Sequence, residues 1–138
     1  MEFSISTHGF TDIVDITDKV RRSCAKTGVK NGVAHVFVAG STAALSTIEY
    51  EAGAIADLKR ALEQIAPMDG RYAHNERWGD GNGYAHLRAA LMKPSLSIPI
   101  VAGELKLGTW QQIILLDFDN RPRQRSIHVQ VSAAAGTA

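Results

Sequence analysis

Cysteine is almost missing: Cys24 is the only one in 138 residues. A lone thiol excludes an internal disulfide framework and a multi-cysteine zinc site, and it fits a reducing compartment, so the cytoplasm is expected. No excess of charge of either sign exists. Lys and Arg total 15 against 14 acidic residues, a formal net charge of +1, which removes the electrostatic case for nucleic acid or a membrane surface as partner. No apolar run reaches the roughly 18 residues that a membrane span needs. The N-terminal MEFSISTHGF alternates apolar and polar residues and lacks the basic and then apolar regions of a secretory signal. There is no GxSxG, Walker loop or GxGxxG fingerprint and no internal repeat. What remains, 45% hydrophobic and 21% charged, is the composition of one soluble domain with enough apolar residues for a core.

The apolar pattern then assigns elements. Stretches 2 to 7 and 11 to 16 alternate and read as strands joined by a turn at His8-Gly9. Thr17 is placed to cap a helix whose Val20, Cys24 and Ala25 share a face and which stops before Gly28. Val33 to Ala39 reads as a central strand, and Thr42 to Tyr50 as another. Ile55, Leu58, Leu62 and Ile65 follow helical spacing from Ala52 until Pro67. Met68 to Gly83 lacks apolar periodicity and reads as a long loop, a length that is uncommon unless it serves a function. Ala85 to Met92 is helical, stopped by Lys93-Pro94. The last third reads as hairpins: Leu96 to Val101, Leu105 to Gly108, Trp110 to Asp117 and Arg125 to Val131, with a bland tail from Ser132 to Ala138. Irregular alternation without repeated βαβ units predicts an α+β fold with a mainly antiparallel sheet.

Chemistry concentrates in a few places. His86 follows a loop holding Asp80, Asn82 and, further upstream, His74, with glycines at 79, 81 and 83 that let backbone N–H groups face a ligand. One histidine among hard oxygen donors suits magnesium or a mixed divalent site better than closed structural zinc; a structural histidine before a helix is the competing reading. Ser41 and Thr42 follow Gly40 at a strand end, where hydroxyls contact an anion or satisfy a local turn. Glu49 and Glu51, two apart, share a strand face and either flank a cation or stand in solvent. Arg121 and Arg123 flank Pro122, with Arg125 close behind. Their forks suit a pyrophosphate, and a solvated hairpin tip paired with Asp117 and Asp119 is the alternative. Trp110 and Gln111 follow Gly108-Thr109 at a position where a ring stacks on a planar ligand or packs in a core. His8, His35 and His128 read as structural.

Two stretches together carry a resemblance: VFVAGSTAALSTIEYE, residues 36 to 51, and DGNGYAHLRAALMKPSLSIPIVAGELKLGTWQQIILLDFDNRPRQRSIHVQV, residues 80 to 131. Together they resemble the YjbQ-like family, described as secondary thiamine-phosphate synthases, with SLSIPIVAGELKLGTWQQI the most specific segment. The resemblance implies an α+β sheet protein assembled as a homotrimer, with a site near the histidine-bearing loop and between subunits. The implied activity joins a pyrimidine methyl pyrophosphate to a thiazole phosphate and releases pyrophosphate. Gly40, Gly79 and Tyr84 stand where the family pattern favours histidine.

Carried onto this chain, the resemblance implies His86, Arg121 and Arg123 as catalytic residues, with Ser41, Thr42, Arg88, Trp110 and Gln111 against substrate. Asp80, Asn82, His86, Glu49 and His74 would hold a divalent ion, magnesium or zinc. Losing a good leaving group from a benzylic-type carbon demands charge stabilisation more than a strong base, which a metal ion or arginines supply. The alternative is a non-catalytic trimer binding a metal or a phosphate-bearing ligand; a purely structural assembly protein is the third reading.

Overall fold

A computed structural model describes residues 1–136. Its elements are β1 (Glu2–Thr7), β2 (Asp12–Asp15), α1 (Thr17–Ala25), β3 (Gly32–Val38), β4 (Ala43–Ile48), α2 (Ala52–Ile65), α3 (Ala73–Trp78), α4 (Gly83–Met92), β5 (Ser95–Val101), β6 (Glu104–Leu105), β7 (Gln112–Asp117) and β8 (Arg123–Ala133). The strands form a five-stranded sheet in the order β1-β8-β3-β5-β6 and a three-stranded sheet in the order β2-β7-β4. All of their pairings are antiparallel, so the chain is α+β as the pattern predicts.

The three-stranded sheet is the middle layer, and β7 shows why. Ile113, Ile114, Leu115 and Leu116 are all fully buried. Because side chains alternate across a strand, Ile113 and Leu115 face a core built with Val36, Val38, Ile127 and the Val20–Cys24 stripe of α1. Ile114 and Leu116 face a second core with Leu62 of α2 and Tyr84, Ala85 and Ala89 of α4. A strand buried on both faces reads as a continuous apolar run. Truncating one of these leucines to alanine costs about 2–5 kcal/mol.

The structure departs from the pattern at six points. The stretches 2 to 7 and 11 to 16 form β1 and β2 but do not pair with one another, because β1 runs beside β8 and β2 beside β7. The turn at residues 119–122 likewise carries the chain between sheets and is no hairpin tip. The loop from 68 to 83 contains α3, closed by left-handed Gly79 (φ 72°). Turn contacts hold it without an apolar stripe: Tyr72 donates to the Pro67 carbonyl at 2.6 Å and Gly83 N–H donates to Asn75 Oδ1 at 2.8 Å. Trp110 and Gln111 precede β7 in a turn, where Gly108 N–H donates to Gln111 Oε1 at 3.0 Å. Finally, β8 runs on to Ala133 through main-chain pairing with β3, which needs no apolar side chain; the end of the expected tail, residues 137–138, lies outside the described residues. Thr17 is the first helical residue rather than a cap, its hydroxyl accepting from Ile113 N–H at 2.9 Å.

Candidate functional site

Period-two alternation sets the base of the site. Asp117 lies on the same face of β7 as Ile113 and Leu115, and Arg123 and Arg125 share a face of β8. The two strands belong to different sheets, and a bidentate pair joins them: Arg125 Nε and Nη2 donate to Asp117 at 2.7 and 2.8 Å. Both residues are buried, and Thr7 adds its hydroxyl to the Asp117 carboxylate. Burial by itself would raise the Asp117 carboxyl; the bonds from Arg125, Thr7 and the Asp119 backbone outweigh it and hold the group below its usual range.

Asp119 continues this base. Its Oδ2 accepts from Thr42 at 3.1 Å and from Arg123 Nη1 at 2.9 Å, and its Oδ1 accepts from Asn120 N–H at 2.8 Å. It too is buried and held low, burial opposing and these donors, with Asn82, prevailing. Three successive left-handed residues, Gly9 (φ 75°), Phe10 (φ 54°) and Thr11 (φ 63°), support the turn from behind. Phe10 N–H donates to the Asp119 carbonyl at 2.7 Å, and a Cβ on residue 9 would strike the Arg121 carbonyl at 2.5 Å.

Above the base opens a cleft of about 390 Å³ whose lining includes Gly40, Ser41, Thr42, His74, Trp78, Asp80, Asn82, His86, Asp119, Arg123 and Arg125. The Gly40–Thr42 corner is pinned between elements: Val38 N–H reaches the Pro94 carbonyl at 2.9 Å and Phe118 N–H the Thr42 carbonyl at 2.9 Å. Thr42 also accepts from Arg125 Nη2 at 2.7 Å. The third Arg125 nitrogen, Nη1, lies where a Cβ on residue 40 would meet it at 2.7 Å. Glycine (φ +124°) leaves that guanidinium edge open to the cleft.

The other wall carries the imidazoles. His86 on α4 and His74 on α3 pack ring against ring, centroids 4.3 Å apart and planes tilted by 37°. Burial, and then the neighbouring His74 ring, push the His86 pKa below its ordinary value against the opposing pull of Asp80 and Asp119, which favours the neutral ring. His74 Nδ1 stands 3.4 Å from Asp80 Oδ1 and is buried without a hydrogen-bond partner. The Asn82 amide sits between two carboxylates: it donates to Asp119 Oδ1 at 3.3 Å in one orientation and to Asp80 Oδ1 at 3.0 Å in the other. The second orientation turns the amide nitrogen, and not the carbonyl, toward the Asp80 carboxylate. Among the described residues no three His, Cys, Asp or Glu side chains converge to hold an ion. A closed zinc site, which needs three or four such ligands, is therefore not formed by these side chains.

His74, Asp80, Asn82, His86, Ser41, Thr42 and Arg123 thus meet in one cleft. The other candidates lie elsewhere. Arg88 is buried beneath it, donating to Thr11, the Ala66 carbonyl and Glu63 at 2.7, 2.9 and 2.7 Å. Arg121 is exposed in the turn, outside the lining. Glu49 is exposed beyond the end of β4, and Glu51 caps α2 by accepting from Gly53 and Ala54 N–H, so the pair shares no strand face. Trp110 is exposed and outside the lining, and Gln111 donates to Thr47. The tryptophan at the cleft is Trp78, inside the stretch that reads as loop. Asp119 and Arg125 also belong to the cleft, and only their sequence proximity to Arg123 hinted at it.

A family model described as UPF0047 protein YjbQ-like matches residues 1–134. A UPF0047 protein of Methanothermobacter thermautotrophicus is 36% identical over 131 residues, covering 95% of this chain and 90% of its own. One from Mycobacterium bovis is 39% identical over 117 residues, 85% of this chain and 88% of its own. Among solved structures, a YbjQ-like protein of unknown function from Sulfolobus solfataricus superposes with a TM-score of 0.91 at 34% identity, covering 97% and 96% of the two chains. A YjbQ/UPF0047 protein of Clostridium acetobutylicum gives 0.87 at 36% identity, covering 96% and 99%.

Proposed function

Because this chain belongs to the YjbQ-like UPF0047 family, we propose that it is a pyrophosphate-releasing transferase of the thiamine-phosphate synthase type, joining a pyrimidine methyl pyrophosphate to a thiazole phosphate. The observation that carries this is the open Nη1 edge of buried Arg125 over Gly40, beside Arg123 and the Ser41 and Thr42 hydroxyls. Such a corner donates to phosphate oxygens from positions that need no reorganisation.

Charge decides what must accompany the phosphate. Asp80, Asp117 and Asp119 outnumber Arg123 and Arg125 in and under the cleft, so a bare pyrophosphate is repelled as well as gripped. A divalent cation near Asp80 and Asn82 would offset the leaving group's charge. In the reaction the methylene–oxygen bond breaks with its electron pair leaving on pyrophosphate, and the thiazole nitrogen bonds to the methylene carbon. That nitrogen carries no proton to remove, so a neutral His86 serves by positioning a phosphate oxygen rather than as a strong base. The reading takes the protein as a cytoplasmic homotrimer.

A second reading, a binding trimer without turnover, is favoured by the lack of three convergent metal ligands among the described residues. Incubation with both substrates and magnesium separates them: thiamine phosphate should form and be lost in Arg123→Ala. Magnesium-dependent pyrophosphate binding with no product in the unaltered protein would support the second reading instead, and absence of both would overturn the two together.

A further inference from the structure

The polar cleft does not end at His86. Beside that ring a second hollow of about 250 Å³ shares Gly40, Ser41 and His86 with it and is otherwise lined by Ala43, Ala89, Ala90 and Pro94. Its chemistry is the opposite of the first. Against two guanidiniums, two lining carboxylates and an amide, it offers methyl groups and a proline ring, with no charged side chain in its lining.

Local sequence explains the wall. His86, Ala89 and Ala90 stand at i, i+3 and i+4 on α4 and so face the same way, the imidazole first and the alanines one turn on. The Lys93-Pro94 stop then folds back between the end of β3 and the start of β4: Leu45 N–H donates to the Lys93 carbonyl at 3.0 Å as Val38 does to that of Pro94. Two alanines where helices commonly carry larger side chains leave room for about one ring. A concave apolar surface beside a few fixed polar groups is the usual form of a small-molecule site.

We infer that this hollow is a specificity arm: it takes the uncharged, ring-sized group of a phosphate ester whose phosphate occupies the Arg123–Arg125 corner, and Ala90 sets the size it accepts. The inference rests on the phosphate-binding reading above and adds where the ring of such an ester lies and which residue limits its size: the ring reaches the arm through one short link, the span from Gly40 past Ser41. It also separates this arm from the exposed Trp78 ring, which lines the first cleft and not the arm and offers a stacking surface of its own.

Titration calorimetry with methyl phosphate and benzyl phosphate, in magnesium, tests it. Benzyl phosphate should bind about tenfold more tightly than methyl phosphate, the gain expected from removing one ring face from water. Ala90→Leu fills the arm from an exposed position that tolerates the change; it should abolish the benzyl advantage and leave methyl phosphate binding unchanged, while Trp78→Ala keeps the advantage. Equal affinity for the two esters, an advantage that survives Ala90→Leu, or one that disappears in Trp78→Ala alone would overturn the arm and leave the phosphate corner standing. Failure of both esters to bind would remove the corner, and the arm with it.

Discussion

A Cβ on residue 40 would lie 2.7 Å from Nη1 of Arg125, so the glycine and the guanidinium occupy one another's allowance of space. The arginine cannot swing aside, because Asp117 holds its other two nitrogens at 2.7 and 2.8 Å. Gly40→Ala therefore meets both a forced contact and a left-handed φ of +124°. A loss of about 1–3 kcal/mol is expected, together with weakened inorganic pyrophosphate binding. Thermal unfolding and calorimetry on the same variant check it; wild-type values in both would show that the corner is not built on this contact.

The Asp117–Arg125 pair is a buried bridge between sheets, and breaking one side should cost far more than replacing both. Asp117→Ala leaves an uncompensated guanidinium in the interior and should lose about 3–5 kcal/mol, whereas Asp117→Leu with Arg125→Met should recover much of it. The pH dependence has a definite sign. The folded carboxyl titrates below its ordinary 3.8, so its contribution is complete above that value and is lost as pH falls through the folded one. Urea unfolding of wild type and Asp117→Asn should accordingly converge in acid, below about pH 3.8.

His86 carries the opposite chemistry with the same slope. Its folded pKa lies below 6.5, so the unfolded chain takes up the proton first; stability is full above 6.5 and declines as pH drops from there toward the folded value. His74→Ala removes one of the two causes and opens the ring to water. The His86 ring resonance, followed by NMR, should then titrate at higher pH than in wild type. An unchanged midpoint would mean that His74 contributes nothing.

Arg88 separates a structural role from a binding one. It ties α4 to the end of α2 and to the left-handed Thr11 behind Asp119. Arg88→Met leaves the Ala66 carbonyl and Thr11 hydroxyl without a buried donor, a cost of about 1–3 kcal/mol for each group. At a temperature where the variant is folded, its pyrophosphate affinity should stay within about twofold of wild type. A loss of affinity exceeding tenfold with little loss of stability would return Arg88 to the binding surface.

Much of this molecule is legible along the chain because period and punctuation are local properties. The Ile55–Leu62 spacing, the β7 run IILLD and the Lys93-Pro94 stop each announce an element without reference to the rest. The loop before α4 also advertises its histidines and oxygen donors. Helix α3 escapes because it is short and held by Tyr72, Asn75 and a left-handed glycine rather than by an apolar stripe.

What the sequence alone determined, then, is the class of fold, the places where elements start and stop, and the presence of His86, Asp80, Asn82 and Arg123 as candidates. Only the tertiary structure decided that β7 and β8 part into different sheets, which turns Asp117 and Asp119 from solvated turn residues into a buried base and brings Arg125 to the cleft beneath Gly40. It also sent Arg88 into the interior and chose Trp78 over Trp110 as the tryptophan beside the cleft. The physical reason is that strand pairing and layer order are long-range choices. An alternating strand states which side chains share a face, and nothing in it states what that face will meet.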